Sequence, residues 1–318
     1  MTRELLLLRH GKSDWSADVD DYHRPLKDRG KRGAQRIGVW LAQQKMVPDL
    51  IVTSPAERAL VTAQKACKAM GNGAAGIQLD RRIYEAVVDD LLAVLGDCPQ
   101  DAGRVMLVGH NPGLEHLLHW LASTTPETDD GKLLPTATLA RLQMPADWGV
   151  LVAGCARLDA ITRPGTLPKK FPYPAPDGKE QRDRPAYYYT QSSVIPYRVR
   201  DGKPEILVIA SSKKHHLVVP KGIKDPGLSP RESAAKEALE EAGIEGEVAD
   251  TALGSYTCEK WGATCTVSVY PMKVTRLIAE QDWEESHRGR EWVSPEKAAR
   301  ELKQRELAPL VKQLEAMF

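Results

Sequence analysis

The stretch LLLLRHGKSDW, from Leu5 to Trp15, places a run of leucines directly before an Arg-His pair. Such a short apolar run predicts a buried strand that ends where the polar residues begin. The Gly-Lys-Ser that follows belongs to a phosphate-binding loop only when another glycine stands five residues before Gly11. Leu6 occupies that position, inside the predicted strand. The stretch therefore excludes a phosphate-binding loop and makes His10 the candidate for chemistry.

Two further apolar runs share this pattern: DLIVTS ends at Ser54, and RVMLVGH ends at His110. Between the first two runs, apolar residues recur at helical spacing at Ala34, Ile37 and Leu41. This alternation of strand-like and helix-like segments predicts an α/β domain with a mainly parallel sheet. Ligands bind beyond the carboxyl ends of the strands in such sheets. We therefore expect the polar residues that end these runs to face one site.

The chain has 318 residues, which is more than one compact domain usually holds, so we expect two domains. Six of the 22 prolines lie between Thr162 and Pro185, a composition that predicts a semi-extended linker. The predicted boundaries are 1–165 for the first domain, 166–185 for the Pro-rich linker and 186–318 for the second domain.

The second domain contains strand-like runs around one well-marked helix. Ser229 is a suitable N-cap for this helix, Glu232 completes a capping box with it, and Gly243 ends the helix. ILVIASS, LVVPKG and CTVSVYPMKV are strand-like, and the last 25 residues predict a terminal helical region. This arrangement predicts a mixed α+β unit.

The composition is that of an ordinary soluble protein, with 42% hydrophobic residues, 27% charged residues and a formal net charge of +1. Neither a nucleic-acid partner nor a membrane partner is expected, and no apolar run is long enough for a signal peptide or a membrane span, which predicts a cytoplasmic protein. The five cysteines are scattered and predict free thiols rather than a disulfide framework or a zinc site. Cys258 and Cys265 are placed to face each other across a hairpin.

Three separated motifs of the first domain occur in an informative order: Arg9-His10-Gly11, SPAERALVTA from Ser54, and Gly109-His110-Asn111. Over Leu5 to about Pro164, the sequence resembles the histidine phosphatase superfamily, specifically its phosphohistidine-phosphatase-like branch. The resemblance implies that His10 is a nucleophile that becomes transiently phosphorylated. It also implies that Arg9, Arg58 and His110 hold the phosphoryl oxygens, and that this domain needs no cofactor.

One position departs from the pattern of the larger members of the superfamily, because Ser16 stands where they often have asparagine. The sequence does not identify the general acid, because Glu85 has two interpretations. It either protonates the leaving group or is a solvated carboxylate at the surface. A phosphohistidine substrate needs little help from an acid, because its leaving group is an imidazole.

Three glutamates on the helix of the second domain, Glu237, Glu240 and Glu241, lie at spacings of three and four. This spacing places their carboxylates on one helix face, where like charges repel each other. A divalent cation would relieve the repulsion, while the alternative is a simply solvated acidic face.

The stretch GIKDPGLSPRESAAKEALEEAGI, from Gly222 to Ile244, resembles a Nudix box. The flanking stretches resemble the diphosphoinositol-polyphosphate and dinucleoside-polyphosphate phosphohydrolases among Nudix proteins. The resemblance implies an α+β Nudix fold in which Mg²⁺, or alternatively Mn²⁺, is bound by Glu237, Glu240 and Glu241, with Glu241 also catalytic. Leu228 replaces the first glutamate of the box and Lys236 replaces its arginine, which we expect to alter the site without abolishing it.

Basic residues flank the box, and they are either ordinary surface charge or a binding patch for a polyanionic substrate. This basic cluster consists of Lys213, Lys214, His215, His216, Lys221 and Lys224. Lys213, Lys221 and Lys224 are the substrate-binding candidates. Further candidates for a metal contact or a base are Glu284, Glu285 and Glu291, whereas Trp283 and Trp292 are expected to belong to the core.

Together, the motifs predict a bifunctional phosphohydrolase acting on small phosphorylated substrates. In this hypothesis, the second domain cleaves a phosphoanhydride in a nucleotide or inositol-type polyphosphate, and the first removes a terminal phosphate. One alternative is a phosphatase for a phosphohistidine protein, regulated by a ligand-sensing Nudix module. Another is a non-enzymatic scaffold with the linker and the basic cluster as its interaction surface. The presence of Arg9, His10, Arg58 and His110 disfavours it, because a scaffold needs none of that chemistry.

Overall fold

The computed structural model describes residues 3–128, 131–174, 178–211 and 216–318. The chain divides into two compact units, Met1–Phe171 and Pro172–Phe318. No helix within the described ranges combines the length and the apolar character needed to cross a bilayer.

The first unit is built on a six-stranded sheet with the strand order β3-β2-β4-β1-β5-β6. Strands β1, β2, β3 and β4 are parallel to one another, whereas β5 pairs antiparallel with β1 and β6 pairs antiparallel with β5. The elements are β1 (Arg3–Arg9), α1 (Asp28–Gln43), β2 (Leu50–Thr53), α2 (Glu57–Ala69), β3 (Ile77–Leu79), α3 (Val88–Gly96), β4 (Arg104–Gly109), α4 (Gly113–Leu121), β5 (Leu139–Met144) and β6 (Arg157–Thr162). The predicted α/β architecture with a mainly parallel sheet is confirmed.

The four leucines of β1 are fully buried and alternate between two hydrophobic clusters. Leu5 and Leu7 pack into the cluster that includes α3 and α4, whereas Leu6 and Leu8 pack into the cluster that includes α1 and α2. The run is continuously apolar because both faces of the strand are covered by helices. Each buried leucine contributes about 2 kcal/mol, so the run anchors the strand that ends at the Arg-His pair.

The second unit contains an eight-stranded, mainly antiparallel sheet with the central order β11-β10-β9-β15-β13, to which β12, β14 and β16 are added at the sides. Strand β7 (Phe171–Pro172) lies at the boundary between the two units. The elements after it are β8 (Gln181–Arg182), β9 (Thr190–Arg200), β10 (Lys203–Ala210), β11 (Leu217–Val218), β12 (Lys221–Ile223), α5 (Pro230–Ala242), β13 (Ile244–Val248), β14 (Gly254–Lys260), β15 (Ala263–Leu277), β16 (Arg290–Val293), α6 (Pro295–Glu301) and α7 (Ala308–Glu315). Helix α5 covers one face of this sheet, and α6 and α7 cover the other. The predicted α+β class is therefore confirmed.

Helix α5 begins and ends as its sequence indicates. Ser229 Oγ accepts a hydrogen bond from the Glu232 N–H, and the Glu232 carboxylate accepts one from the Ser229 N–H, which completes the capping box. Gly243 ends the helix in the left-handed conformation with φ of 58°. A Cβ atom at Gly243 would also lie 2.5 Å from Cγ of Trp283, so the turn and the packing both require glycine.

Within the predicted linker 166–185, the structure shows local folding that the proline content does not predict. The Tyr173 N–H donates to the Glu180 carbonyl, and β8 lies in the same segment. The Arg182 guanidinium lies 3.2 Å from the ring centre of Tyr173 and 4.4 Å from that of Tyr189. Cation–π contacts of one guanidinium with two rings stabilise this segment, although its prolines exclude a long strand. The boundaries 1–165 and 186–318 stay predictions.

The remaining expectations concern the chain terminus and the cysteines. The terminal helical region divides into α6 and α7, because Leu302 and Leu307 turn into the core between them. All five cysteines are free thiols, as predicted. Cys258 lies directly opposite Cys265 in the β14–β15 hairpin.

Candidate functional site

His10 and His110 lie side by side because they follow two adjacent parallel strands, β1 and β4. The His10 N–H donates to the Gly109 carbonyl at 3.0 Å, and the two imidazole ring centres are 5.1 Å apart. The Gly11 N–H donates to Thr62 Oγ1 at 2.9 Å, which fixes the loop after β1 to α2. The predicted meeting of polar residues at the carboxyl ends of the strands is thus present.

The hydrogen bond of His10 determines which ring nitrogen is free. Nδ1 lies 2.7 Å from the Gly11 carbonyl oxygen, which can only accept, so Nδ1 carries the proton and the lone pair lies on Nε2. Burial, followed by the positive charges of Arg58 and Arg9, lowers the pKa of His10 to about 4. At neutral pH this imidazole is therefore uncharged, as a nucleophile must be.

His110 is held by Ser54, whose Oγ lies 2.9 Å from His110 Nε2. Its Nδ1 atom is buried and has no hydrogen-bond partner among the described residues. Burial, then the neighbouring His10 and Arg58, lowers the pKa of His110 to about 3. A buried polar atom without a partner is costly and is expected at sites that bind a ligand.

Two arginines complete the predicted pocket. Arg58, in the first turn of α2, is only 5% exposed, and Arg9 donates from Nη1 to the Leu134 carbonyl at 2.7 Å. A cavity of about 640 Å³ is lined by all four predicted residues of this site: Arg9, His10, Arg58 and His110. The structure therefore brings together every residue that the sequence assigns to the phosphatase site.

Sequence analysis missed Asp21, Arg24 and Tyr84, which line the same cavity. The Asp21 carboxylate accepts hydrogen bonds from Arg58 Nη2 at 2.7 Å, from Arg24 Nη2 at 2.6 Å and from Tyr84 Oη at 3.0 Å. Burial favours the neutral acid, but the hydrogen bonds from Arg24 and Tyr84 and the charge of Arg58 outweigh it and lower the pKa of Asp21 to about 2. The sequence offers a signal for one of these three residues: Arg24 stands directly before Pro25, shortly before α1 begins.

The two uncertain positions of this domain have different surroundings. Glu85 is exposed, lines the cavity and has φ of 56°, so its backbone is held in the left-handed region. Ser16 is exposed, and both its N–H and its hydroxyl donate to Asp14 Oδ1. Ser16 is thus engaged by its own loop.

In the second unit, Glu241 is bound at both carboxylate oxygens. Oε2 accepts the Lys221 N–H at 2.9 Å, and Oε1 lies 2.9 Å from Nη1 of Arg288. Arg288 is 6% exposed, and it also binds Glu285 at 2.8 Å and the Ala210 carbonyl at 2.9 Å. Arg288 was not identified from the sequence, because no spacing relates it to α5.

Glu237 lies against the backbone of β12. A Cβ atom at Gly222 would lie 1.9 Å from the Glu237 carboxyl group, so this close approach requires glycine. No hydrogen bond or ion pair binds the Glu237 carboxylate within the described ranges. Burial, followed by the charges of Glu241 and Glu240, raises the pKa of Glu237 to about 7.

Lys236, which replaces the arginine of the box, binds Asp225 Oδ2 at 2.6 Å and lies 3.5 Å from Glu240 Oε1. Leu228 is half-buried, and its N–H donates to the Asp225 carbonyl at 3.2 Å. Lys236 thus preserves a cation between the loop and the glutamates, although it forms single contacts where arginine can form two.

The donor chemistry of α5 fits a hard divalent cation, because three carboxylates share one helix face and the Glu237 carboxylate has no cationic partner in the described structure. The positions of these side chains match a metal site less well than their chemistry does. In the part of the chain that the structure describes, no three His, Cys, Asp or Glu side chains form a group that could hold a metal ion. Arg288 is the competing partner, because it holds Glu241.

The basic cluster is only partly visible, since Lys213, Lys214 and His215 lie outside the described residues. Lys221 is not the open surface charge that a binding patch needs. Its Nζ donates to Gln191 Oε1 at 2.6 Å, and burial lowers its pKa. Lys224 is half-buried, and its N–H donates to the Thr190 carbonyl.

The remaining candidates of the second unit have local partners. Glu285 binds Arg288, Glu291 binds Lys297 at 2.8 Å, and Glu284 is exposed. Trp283 is 4% exposed, and its Nε1 donates to the Glu240 carbonyl. The half-buried Trp292 packs against the hydrophobic cluster between α5 and the sheet. Both tryptophans therefore belong to the core, as expected.

Two family models match the sequence. The model of the histidine phosphatase superfamily (branch 1) matches residues 5–93, and the model of the NUDIX domain matches residues 190–314. The first range contains Arg9, His10 and Arg58 and ends before His110. Both matches are to families of phosphoryl-group hydrolases and related enzymes, which confirms the predicted enzyme class.

Curated relatives match each half separately. Nudix hydrolase 12, mitochondrial, of Arabidopsis thaliana is 30% identical over 142 residues, which cover 37% of this chain and 69% of the relative. A 2,3-bisphosphoglycerate-dependent phosphoglycerate mutase of Arthrobacter sp. (strain FB24) is 37% identical over 93 residues, which cover 27% of this chain. The chain spans only 36% of the length of this mutase.

Solved structures also match each half. SixA of Nakamurella multipartitia has 27% sequence identity and a TM-score of 0.44, covering 52% of this chain and 97% of that one. The C. elegans Ap4A hydrolase has 26% identity and a TM-score of 0.34, covering 41% of this chain and 97% of that one. Because both TM-scores are low, the family assignment rests on the sequence matches. The chain therefore belongs to the Nudix family through its C-terminal half and carries a histidine phosphatase superfamily domain in its N-terminal half.

Proposed function

We propose that the protein is a bifunctional phosphohydrolase. Its N-terminal domain removes a phosphoryl group from a monoester or a phosphohistidine through His10, and its Nudix domain cleaves a phosphoanhydride in a nucleotide or inositol-type polyphosphate. One observation carries the first part: a neutral histidine with its lone pair on Nε2 lies in a cavity with Arg9, Arg58 and His110. A nucleophile surrounded by fixed donors is what phosphoryl transfer requires.

In the proposed first step, His10 Nε2 attacks phosphorus and forms a P–N bond while the bond from phosphorus to the leaving group breaks. The leaving group takes a proton as it departs, and Glu85 at the cavity is a candidate donor. Water then attacks the phosphohistidine and gives a proton to the Glu85 carboxylate, which restores the acid, while the P–N bond breaks and its electron pair returns to His10 Nε2. Inorganic phosphate leaves with His10 neutral again. Arg9 and Arg58 offset the charge on the phosphoryl oxygens through their guanidinium groups.

His110 is proposed to donate a hydrogen bond to the phosphoryl group. Its ring is fixed by Ser54, and Nδ1 has no partner among the described residues. In the ligand-free site its low pKa keeps it neutral, which limits repulsion from the arginines. A bound phosphoryl dianion favours its protonated form, so the imidazole would stabilise charge when the ligand is present.

In the Nudix domain, Glu237, Glu240 and Glu241 are the proposed ligands of a divalent cation. Nudix domains generally use such a metal, typically Mg²⁺. When bound, the cation would offset charge on the phosphoanhydride oxygens and lower the pKa of the attacking water. Glu241 is the proposed proton acceptor, and the Lys221 N–H orients its carboxylate through Oε2.

Substrate binding in the Nudix domain is proposed to involve Lys224 and the predicted residue Lys213, with Lys221 contributing from a more buried position. A phosphoanhydride substrate carries several negative charges, and lysines beside the box would raise its local concentration. Because Lys221 is held by Gln191, we expect its role to be mainly positional.

A second candidate function is a phosphohistidine protein phosphatase whose Nudix module senses a polyphosphate ligand. The engagement of Glu241 by Arg288 favours this alternative, because a carboxylate paired with a buried arginine is a weaker metal ligand and base. The departures at Leu228 and Lys236 agree with it.

The test is product analysis with and without Mg²⁺ on a dinucleoside polyphosphate, a nucleoside triphosphate and an inositol pyrophosphate, comparing wild type with His10→Ala and Glu241→Gln. The bifunctional hypothesis expects Glu241→Gln to abolish anhydride cleavage and His10→Ala to remove only later phosphate release. If Glu241→Gln changes no product and only His10 matters, the bifunctional hypothesis is wrong, and the Nudix module is a ligand sensor or an inactive relic. If neither variant changes any product, both functions are wrong.

A further inference from the structure

The cavity at His10 has an apolar rim that the proposed phosphoryl chemistry does not use. Trp15 is 73% exposed and Val87 is 60% exposed, and both line the cavity whose floor holds His10 and Arg58. An indole at the rim of a polar cavity offers a flat apolar face to a ligand that enters the cavity.

The indole of Trp15 is fixed before any ligand arrives. The Arg24 guanidinium lies 3.5 Å from the Trp15 ring centre, which is stacking distance. Arg24 is itself 7% exposed and is bound by Asp21 Oδ1 at 2.6 Å and by Ser13 Oγ. One face of the indole is therefore covered by an anchored cation, while its exposure shows that the other face is open.

The cavity volume also indicates a substrate larger than a phosphoryl group. Cavities of about 300–1,000 Å³ hold ligands of drug size, and this one is about 640 Å³. A phosphoryl group bound beside Arg9 and Arg58 would fill only part of this volume. The rest must accommodate the leaving group, and it is bounded by the apolar rim and by polar side chains such as Asn111 and His116.

We infer that the substrate of the N-terminal domain carries its phosphoryl group on a molecule with a planar ring, as a nucleoside monophosphate does, and that the ring stacks on the open face of Trp15. This inference rests on the proposed phosphatase function and adds the class of its leaving group. A planar ring gains stacking energy from an indole that is already fixed, so little conformational entropy is lost on binding.

The test compares two ligands that share a phosphorylated ribose and differ in the ring: adenosine monophosphate and ribose 5-phosphate. Binding to the full-length protein is measured by isothermal titration calorimetry in EDTA, and phosphate release is measured in parallel. The variants are Trp15→Ala, Trp15→Phe and, as the matched control, Val19→Ala, because Val19 is 50% exposed on the same loop and does not line the cavity.

We expect adenosine monophosphate to bind wild type about tenfold more tightly than ribose 5-phosphate, and Trp15→Ala to abolish this difference. Trp15→Phe should retain most of it, and Val19→Ala should retain all of it. Equal binding of the two ligands to wild type would overturn the inference, as would a loss in Trp15→Ala that is the same for both.

Phosphate release separates this inference from the proposed function. If adenosine monophosphate binds in a Trp15-dependent manner but His10→Ala leaves phosphate release unchanged, the ring site stands and the phosphatase role of His10 is wrong. If both ligands are hydrolysed through His10 with no dependence on Trp15, the phosphatase role stands and the ring site is wrong.

Discussion

Asp21 binds the Arg58 guanidinium through both its side chain and its backbone. Arg58 Nη2 donates to the Asp21 carboxylate at 2.7 Å, and Arg58 Nη1 donates to the Asp21 backbone carbonyl. Arg58 is 5% exposed, so its guanidinium has few other positions available. The carboxylate also binds Arg24 and Tyr84. Asp21 thus determines where the charges of the phosphatase cavity lie, although it comes from a loop without regular secondary structure.

Replacing Asp21 tests this positioning role. Asp21→Asn removes the negative charge but keeps the size of the side chain, so Arg58 and Arg24 lose a charge-assisted hydrogen bond each. We expect kcat/KM for phosphate release to fall about tenfold or more while the fold is retained, a loss typical of misplaced donors. Asp20→Asn is the control, because Asp20 is exposed and binds His23. Equal activity of the two variants would contradict the role of Asp21.

The two buried histidines predict a loss of stability in acid. Burial lowers the pKa of His10 to about 4 and that of His110 to about 3, from the ordinary value of 6.5. As the pH falls below about 6.5, the unfolded chain binds protons that the folded chain excludes. The stability linked to these residues is therefore complete above that pH and declines towards pH 4 and below.

Urea denaturation of wild type and His10→Gln between pH 7 and pH 4 measures this effect. The free energy of unfolding of His10→Gln should depend less steeply on pH than that of wild type. His119→Gln is the matched control, because His119 is exposed and its ring contacts the Thr125 hydroxyl. Parallel curves for wild type and His10→Gln would show that His10 titrates normally.

Gly222→Ala is predicted to affect the glutamate cluster more than the fold. The added Cβ atom would overlap the Glu237 carboxyl group, which lies at the end of a flexible side chain and can move away. We expect the free energy of unfolding to change by less than about 1 kcal/mol, while affinity for Mn²⁺ falls about tenfold because one carboxylate is displaced.

Calorimetric titration with Mn²⁺ provides the measurement for this variant. Gly76→Ala is the control, since a Cβ atom at Gly76 meets open space. Unchanged Mn²⁺ affinity in Gly222→Ala would argue against Glu237 as a metal ligand.

Arg288→Met should destabilise the Nudix domain by about 3 kcal/mol, because it leaves the Glu241 carboxylate without its buried ionic partner. Arg288→Lys should recover only part of the loss, since lysine lacks the planar fork that reaches Glu241, Glu285 and the Ala210 carbonyl together. Thermal denaturation gives the comparison, with the exposed Arg300→Met as control. A change in Tm no larger than that of the control would show that Arg288 is dispensable for the fold.

Several features of the fold followed from local sequence. The leucine run predicted a buried strand that ends at the Arg-His pair, and the Ser229 capping box and Gly243 predicted the bounds of α5. These features depend on neighbouring residues alone. The folding of the segment around Arg182 did not follow, because its ring partners Tyr173 and Tyr189 are contacts that proline content does not indicate.

The sequence by itself determined the order of the two domains, the α/β and α+β classes, and the residue types that end the strands of the first sheet. Only the tertiary structure decided which partners hold those residues: Asp21 on Arg58, Ser54 on His110, and Arg288 on Glu241. The physical reason is the range of each interaction. Strand and helix patterns arise from hydrophobic burial of near neighbours, whereas these partners are distant in sequence and meet only because the sheets and helices pack. The protonation states of His10 and Glu237 are also decided only by the tertiary structure, because burial and neighbouring charges set both pKa values.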